Sequence, residues 1–153
     1  MNIRKGILRD ATTIAGFNVR LAQESEDLRL DLNTVTQGVT ALLNDPAKGV
    51  YFVVEEESQI VGQLLITYEW SDWRNGNFWW IQSVFVKEEC RGRGVFTSLF
   101  EHVQRVAREQ GNVCGLRLYM EQENERARRA YLKLGFDQTH YQVFERLIVD
   151  KSL

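Results

Sequence analysis

The most restrictive feature of this sequence is a strand-like run that stops at a glycine-containing loop and continues at once as a helix. The apolar run ends at Val84-Phe85-Val86, the loop carries Gly92 and Gly94, and a helical pattern starts at Val95. Backbone N–H groups at the start of a helix attract anions because they have no partner within the helix. Glycine leaves them open since no Cβ shields them. The stretch therefore predicts a loop that binds a phosphate or pyrophosphate.

The spacing of this loop excludes two other phosphate-binding loops. The stretch has neither the Gly-Lys-Ser/Thr ending of a P-loop nor the third glycine of the dinucleotide fingerprint. A plain helix start with a turn glycine would give the same two glycines. The loop alone therefore leaves both readings open.

Composition limits the class of protein. A chain of 153 residues, 44% apolar and 26% charged, predicts a single domain over 1–153 with a buried core. Its net charge of -2 argues against general nucleic-acid binding. We expect no membrane partner and a cytoplasmic location, because no apolar run reaches the ~18 residues of a membrane span and the first residues lack a signal-peptide pattern. Cys90 and Cys114 are too few for a disulfide framework or a four-ligand metal site, so no metal is expected.

Hydrophobic periodicity predicts the element order β-α-α-β-β-β-α-β-α-β. Asp10 is the expected N-cap of the first helix, over about 11–23, and Thr34 to Gln37 fit a capping box for the second. The predicted strands are 2–9, 50–56, 60–69, 78–86, a fifth built on Leu116, Leu118 and Met120, and a last strand or strand pair within 136–148.

The connections between these elements predict the fold class. Strand–helix–strand units late in the chain imply parallel pairing, whereas the hairpin between 50–56 and 60–69 is antiparallel. We therefore expect an α/β chain (α+β by some schemes) with a mixed, mostly antiparallel central sheet and helices on both faces. The nearly continuous apolar run of 78–86 predicts a central strand buried on both faces.

A second motif, Asn124-Glu125-Arg126-Ala127-Arg128-Arg129-Ala130-Tyr131-Leu132-Lys133-Leu134-Gly135-Phe136, follows the glycine loop. Together the two motifs resemble the GNAT superfamily of N-acetyltransferases, over roughly residues 1–148. The family's later helix typically reads Asn-x-x-Ala-x-x-x-Tyr-x-x-x-Gly-Phe, which the second motif matches at every place. Its coenzyme loop reads Gln/Arg-x-x-Gly-x-Gly/Ala. Arg91 and Gly94 match that loop, and Phe96 replaces its last small residue.

The resemblance implies a GNAT fold and an N-acetyltransferase that uses acetyl-coenzyme A as co-substrate and acts by direct attack in a ternary complex. The backbone of Val84, Phe85 and Val86 would pair with the pantetheine arm, and one N–H there would polarise the thioester carbonyl. Asn124 and Ala127 would contact the pantetheine arm, and Tyr131 would protonate the departing thiolate as general acid. The pyrophosphate would be held by Arg91, Gly92, Arg93, Gly94, Val95 and Phe96.

The general base is not fixed by the resemblance. Many relatives place a glutamate on the coenzyme strand, but by resemblance Gln82 holds that place here, and glutamine cannot accept the proton. Glu69, at the end of the preceding strand, is the favoured candidate, with Glu121 as a second. Direct loss of the proton to water is the remaining alternative.

The acceptor is predicted to be a small cationic primary amine. Relatives build the acceptor site from the loop between the first two helices and from loops near the coenzyme strand. Acids and indole faces at those places suit a cation, and 68–86 also resembles the diamine acetyltransferases. A homodimer is compatible with the family. The expected acceptor residues are Glu24, Asp27, Trp70, Asp72, Trp73 and Gln82.

Two other classes of function compete with the enzyme. A non-catalytic acyl-coenzyme A sensor or a protein-interaction module on the same fold would explain the missing carboxylate at Gln82. A nucleotide-binding domain is disfavoured because no P-loop lysine is present. Asn124 and Tyr131 also have structural readings, as a helix cap and a core residue, and Cys90 is expected to be inert.

Overall fold

The computed structural model describes residues 1–149. They fall into two compact units, Met1–Arg117 and the residues from Leu118 onward. The first unit contains the sheet and three α-helices, and the second contains one α-helix. The assignment of 1–153 to a single domain stays a prediction.

The first unit is built on a five-stranded sheet in the order β1-β2-β3-β4-β5. The pairs β1–β2, β2–β3 and β3–β4 are antiparallel, and β4–β5 is parallel. The predicted mixed, mostly antiparallel sheet is confirmed. The strands are β1 Asn2–Lys5, β2 Val50–Glu56, β3 Gln59–Ser71, β4 Gly76–Val86 and β5 Val113–Arg117.

Helices cover both faces of this sheet, as predicted. The helices of the first unit are α1 Ala11–Glu26, α2 Leu32–Leu43 and α3 Val95–Gln110, and that of the second is α4 Glu125–Lys133. Successive side chains of a strand point to opposite faces. Tyr51 and Val53 accordingly pack in one buried cluster with Ile14 of α1 and Val39 of α2. Phe52 faces the other way, where its ring lies 5.4 Å from that of His102 in α3.

The predicted cap of the second helix is wrong, whereas Asp10 stands at the predicted N-cap position of α1 without a side-chain capping bond. The second helix begins at Leu32, where the Asp31 carboxylate accepts a hydrogen bond of 2.9 Å from the Thr34 backbone N–H. The capping box predicted at Thr34 lies inside the helix because an equally good cap stands three residues earlier. The Asp10 side chain precedes α1 but accepts from the Ile7 N–H and from the Arg4 guanidinium instead.

Several predicted strands differ from the observed ones. The fifth strand is Val113–Arg117, so Leu118 and Met120 lie beyond its end. Residues 136–148 contain no strand, and Phe144 and Ile148 are each 92% exposed. Alternating apolar residues favour a pleated conformation, but a strand also requires a neighbouring backbone to pair with.

The hairpin between β3 and β4 is tighter than predicted. Trp70 and Ser71 belong to β3, and Gly76 and Asn77 belong to β4, so the connecting turn is reduced to 72–75. Asn75 has φ 49° directly before Gly76, as an Asn-Gly turn favours. Within residues 1–149, no helix is both long and apolar enough to cross a lipid bilayer.

The packing of α1 on the sheet gives a stability prediction. Ile14 is 0% exposed in the cluster that α1 and α2 form on β2. Ile14→Ala should therefore lower the free energy of unfolding by about 2–5 kcal/mol, because it leaves a cavity that the strands cannot close. Denaturant unfolding measures this loss. Thr13→Ala, at the exposed neighbouring position of the same helix, is the control and should change stability by less than about 0.5 kcal/mol. Equal losses in both variants would show that Ile14 does not anchor α1.

Candidate active site

The candidate site is centred on an extra residue in β4. Gln63 of β3 pairs with Phe85 and Leu65 pairs with Gln82, so Leu64 alone stands opposite Ser83 and Val84. Such an insertion is a β-bulge. Ser83 has φ 51°, in the left-handed region that serine rarely adopts. Because the bulge shifts the alternation by one residue, Gln82 and Phe85 both face α1, although they are three positions apart.

The edge of β4 next to β5 is paired only at its beginning. The parallel ladder runs from Asn77–Val113 to Trp80–Arg117 and ends there, where β5 ends. The backbone of β4 from Ile81 to Val86 therefore lies outside this ladder. A strand edge of this kind offers N–H and C=O groups to an extended ligand. It includes Val84, Phe85 and Val86, the positions predicted to pair with pantetheine.

The glycine loop has the geometry of an anion-binding helix start. Gly92 and Gly94 have φ 75° and 79°, and Gly94 is the N-cap of α3 without a side-chain cap. A Cβ placed on either glycine would meet no atom within 4 Å, so the backbone conformation rather than crowding requires glycine. The first backbone hydrogen bond of α3 runs from the Ser98 N–H to the Gly94 carbonyl at 3.0 Å, so the N–H groups that precede Ser98 lack a partner within the helix.

Both arginine side chains of the loop are engaged by this protein's own carboxylates. Arg91 donates to the Val86 carbonyl at 2.9 Å and to Glu24 Oε2 of α1 at 2.7 Å, and its guanidinium lies 5.6 Å from the Phe85 ring. Arg93 lies 3.2 Å from Glu56 Oε2. Hence the backbone of the loop, more than its arginine side chains, is disposed toward a ligand. Phe96 is half-buried with its ring 6.5 Å from that of Phe100, one turn along α3.

Glu69, the favoured base, lies in a row of polar side chains on the α1-facing side of β3 and β4. Its Oε1 accepts from the Trp80 indole at 2.8 Å and from the Arg117 guanidinium at 3.1 Å. Arg117 also lies 3.6 Å from the Phe78 ring centroid. Both donors approach the same oxygen, which orients the carboxylate.

The structure does not bring the six predicted acceptor residues together. Glu24 lies at the Val86 end of β4 through its contact with Arg91, whereas Trp70 pairs with Asn77 at the opposite end. β4 has 11 residues, which correspond to roughly 35 Å of extended chain. Trp70 also points to the face opposite Gln82. The Trp80 indole and the Glu69 carboxylate lie on the same face as Gln82.

The other acceptor candidates make local contacts. Asp27 ends α1 with φ 50° and accepts from Gln23 at 2.8 Å. Asp72 accepts from the Trp73 backbone N–H at 3.0 Å within the hairpin turn, and Trp73 is 84% exposed. Gln82 donates to Thr67 Oγ1 at 2.6 Å.

The second unit holds the other predicted coenzyme residues on one capped helix. Asn124 Oδ1 accepts from the Ala127 N–H at 3.1 Å and begins α4, which agrees with its reading as a cap. The helix ends at Lys133 with Leu134 as its C-cap. Gly135 follows with φ 91°, and the Phe136 N–H returns to the Tyr131 carbonyl at 3.0 Å. The Tyr131 ring packs edge-on against Phe136 with centroids 5.9 Å apart. Burial raises the pKa of Tyr131, so the phenol stays protonated at neutral pH.

The cysteines and acids show no arrangement for other chemistry. Cys90 is buried below the glycine loop and Cys114 is exposed on β5, and both are free thiols. Among residues 1–149, no cluster of three or more His, Cys, Asp or Glu side chains could hold a metal ion.

Sequence reasoning missed the residues that surround the bulge. Gln63 of β3 is 0% exposed, and its Nε2 donates to Asn18 Oδ1 of α1 at 2.8 Å and to the Ser83 carbonyl at 3.2 Å. Asn18 donates in turn to the Tyr51 phenol at 3.0 Å. The one signal in the sequence was a glutamine within an otherwise apolar strand, which marks a buried amide with specific partners.

Comparison with known proteins places this geometry in a family. The model of the acetyltransferase (GNAT) family matches residues 16–136. The structure resembles that of a possible acetyltransferase from Clostridium difficile 630, with 43% identity, 97% of both chains covered and a TM-score of 0.92. The chain belongs to the acetyltransferase (GNAT) family.

More distant relatives carry names that include an activity or a ligand. An uncharacterised N-acetyltransferase of Methanocaldococcus jannaschii is 33% identical over 56% of this chain and 51% of its own. The thialysine N-epsilon-acetyltransferase of Bos taurus is 34% identical over 50% of this chain and 44% of its own. This chain thus matches about half the length of these curated relatives. A predicted acetyltransferase from Clostridium acetobutylicum, solved with acetyl-CoA, shares the fold at 20% identity, with 96% of both chains covered and a TM-score of 0.79.

Proposed function

We propose that this protein is an acetyl-coenzyme A-dependent N-acetyltransferase that moves the acetyl group to a primary amine. The observation that carries the proposal is the continuity of the β4 edge with the glycine loop. The strand edge from Ile81 to Val86 leaves the β5 ladder and runs into an open helix N-terminus. An extended amide-bearing arm that ends in a pyrophosphate is complementary to that surface.

Each part of the coenzyme has a place on these residues. The backbone N–H groups of 91–96 would hold the pyrophosphate, with Gly92 and Gly94 leaving room for it. The edge of Val84, Phe85 and Val86 would pair with the pantetheine amides, and an N–H there would polarise the thioester carbonyl. By family resemblance, Asn124 and Ala127 would contact the pantetheine arm. The thioester supplies an activated acetyl group, and the protein orients it for attack.

The reaction requires one group that takes a proton from the acceptor amine and a second group that gives a proton to the leaving thiolate. The acceptor arrives as an ammonium ion and must lose a proton before its nitrogen can attack the carbonyl. We assign this step to Glu69, directly or through water. Both donors observed on its carboxylate approach Oε1. The proton would therefore be accepted on Oε2. Tyr131 would return a proton to the departing thiolate, which its raised pKa allows.

The acceptor class is a small cationic amine. Glu69 supplies a carboxylate and Trp80 an indole on the face that Gln82 shares, which suits an ammonium group. The bovine relative's name specifies thialysine, an amine of this class. Trp70 lies on the opposite face and Trp73 is 84% exposed in the hairpin turn, so we propose that the acceptor lies beside Glu69 and Gln82 instead.

Two further attributes remain proposals. A cytoplasmic location is consistent with the free thiols of Cys90 and Cys114. A homodimer is compatible with the family. Sedimentation of the purified protein decides it, and a monomer at micromolar concentration would reject it.

Coenzyme binding is the first test. Acetyl-coenzyme A and free coenzyme A, at about 100 times their Kd, should raise the unfolding temperature by roughly 5–10 °C, and ATP should not. Gly94→Asp should abolish the shift because it places a carboxylate at the anion site. Gly111→Asp is the control, since Gly111 ends the same helix with φ 75° and equally open surroundings. Absence of any shift with millimolar coenzyme would reject the proposed function.

The role of Tyr131 is tested by Tyr131→Phe. Loss of the phenol proton should lower kcat by about 10²–10⁴-fold if Tyr131 is the acid. The wild-type kcat should also fall on the alkaline side only above the ordinary pKa of tyrosine, since burial raises this pKa. Steady-state kinetics at several pH values measure both effects. A decrease below about threefold would remove Tyr131 from the role of acid.

The role of Glu69 is tested by Glu69→Gln. The amide can still accept from Trp80 and Arg117 but cannot take a proton, so kcat/KM for the amine should fall by about 10²-fold or more at neutral pH. Glu121→Gln is the matched comparison. If both variants keep wild-type kinetics, the proton passes directly to water and Glu69 is not the base.

The acceptor class is tested with a panel of amines. Putrescine, spermidine, lysine and thialysine are each offered with acetyl-coenzyme A, and release of the coenzyme thiol is followed. Dications or basic amino acids should react faster than alanine or a peptide N-terminus, because Glu69 and Trp80 stabilise an ammonium group. The reverse order would reject a cationic acceptor while leaving the acetyltransferase assignment intact.

A further inference from the structure

Four polar side chains from four different elements converge on the bulge of β4. Gln63 lies on β3, Asn18 on α1, Tyr51 on β2 and Ser83 on β4. Gln63 Nε2 bridges Asn18 Oδ1 at 2.8 Å and the Ser83 carbonyl at 3.2 Å, and Asn18 Nδ2 donates to the Tyr51 phenol at 3.0 Å. Burial raises the pKa of the Tyr51 phenol, and the Asn18 and Ser83 side chains beside it partly offset this rise. The four residues are called the bulge network below.

The bulge network is buried at a place where apolar side chains would need no hydrogen-bond partners. Gln63 is 0% exposed and Tyr51 is 3% exposed. Gln63 Oε1 has no hydrogen-bond partner among the residues that the structure describes. A buried amide that leaves one of its atoms unpaired is costly, so packing alone does not account for glutamine at this position.

The backbone conformation of Ser83 is the feature that the bulge network would stabilise. Its φ of 51° is unfavourable for a residue with a Cβ. Contacts from other elements must therefore maintain it, and Gln63 of the network donates to the Ser83 carbonyl at 3.2 Å. The conformation of Ser83 sets the direction of the next backbone N–H groups, which begin the edge of Val84, Phe85 and Val86.

We propose that the bulge network of Gln63, Asn18, Tyr51 and Ser83 is a positioning device that fixes the β4 backbone for the thioester carbonyl. Gln63 is its central positioning residue, since its amide nitrogen joins Asn18 of α1 to the Ser83 carbonyl of the bulge. The inference rests on the proposed function. It adds residues that touch neither the coenzyme nor the acceptor and that act through the backbone of Ser83 and Val84.

The test uses the full chain and a cycle of variants. Gln63→Met keeps the length of the side chain and removes its donor. Ser83→Gly permits φ 51° without strain. The double variant shows whether Gln63 is still required when glycine removes the strain at position 83. Gln59→Met, at the exposed first residue of the same strand, is the matched control and should behave as wild type.

Gln63→Met should lower kcat by about 10- to 100-fold, as expected for a small displacement of a polarising group. Its Kd for free coenzyme A, which lacks the acetyl thioester, should stay within about threefold because the glycine loop is untouched. Adding Ser83→Gly should restore kcat to within about threefold of wild type. The measurements are calorimetric titration with free coenzyme A and thiol release with the fastest amine of the panel above.

Other outcomes overturn the proposal. If the double variant is as slow as Gln63→Met, or if the Kd for free coenzyme A rises as much as kcat falls, Gln63 serves the general packing of the core. Unfolding temperatures test the bulge network independently of the proposed function. Ser83→Gly should raise the unfolding temperature more in the Gln63→Met background than in wild type, whether or not the protein is an acetyltransferase. Equal shifts would overturn the network itself.

Discussion

The inserted residue in β4 is the constraint on which the rest of the site depends. Without it, Phe85 would face α3 and lose its contact with α1, where Phe17 lies 4.8 Å from its ring. With it, Gln82 and Phe85 share a face, and the bulge lies in the part of β4 beyond Trp80, where the β5 ladder has ended. The inserted residue in β4 therefore affects both the packing of Phe85 against α1 and the strand edge beyond the β5 ladder.

The protein supports this distortion with interactions drawn from several elements. Gln63 reaches the bulge from β3, and Arg91 binds the last carbonyl of β4 while pairing with Glu24 of α1. The exposed segment is thus tied to α1 at Ser83 and at Val86. Exposed ion pairs contribute little stability individually. The geometry of Arg91, which joins a carbonyl and a carboxylate, nevertheless limits the directions in which the loop can leave the strand.

The sequence predicted the features that depend on local pattern. The amphipathic stripe of α3, the glycines at both of its ends and the Asn124 cap are all short-range signals, and the structure contains each of them. Fold class and family followed because two spaced motifs stood in one order of elements. The bulge was not predictable from alternation, since 78–86 reads as an uninterrupted apolar strand. Gln63 and Asn18 are 45 positions apart, and no local pattern relates them. The strand predicted within 136–148 had the right composition but no observed neighbour, and pairing is a property of the whole fold.

The part of β4 beyond the β5 ladder has a consequence for the unliganded protein. A bare strand edge is a template onto which another chain can add a strand, the first step of many aggregation reactions. Here the segment from Ile81 to Val86 is short, bent by a bulge and closed at one end by the Arg91 guanidinium on Val86, three features that discourage such addition. The features that discourage strand addition therefore lie in the same segment that is proposed to pair with the coenzyme arm.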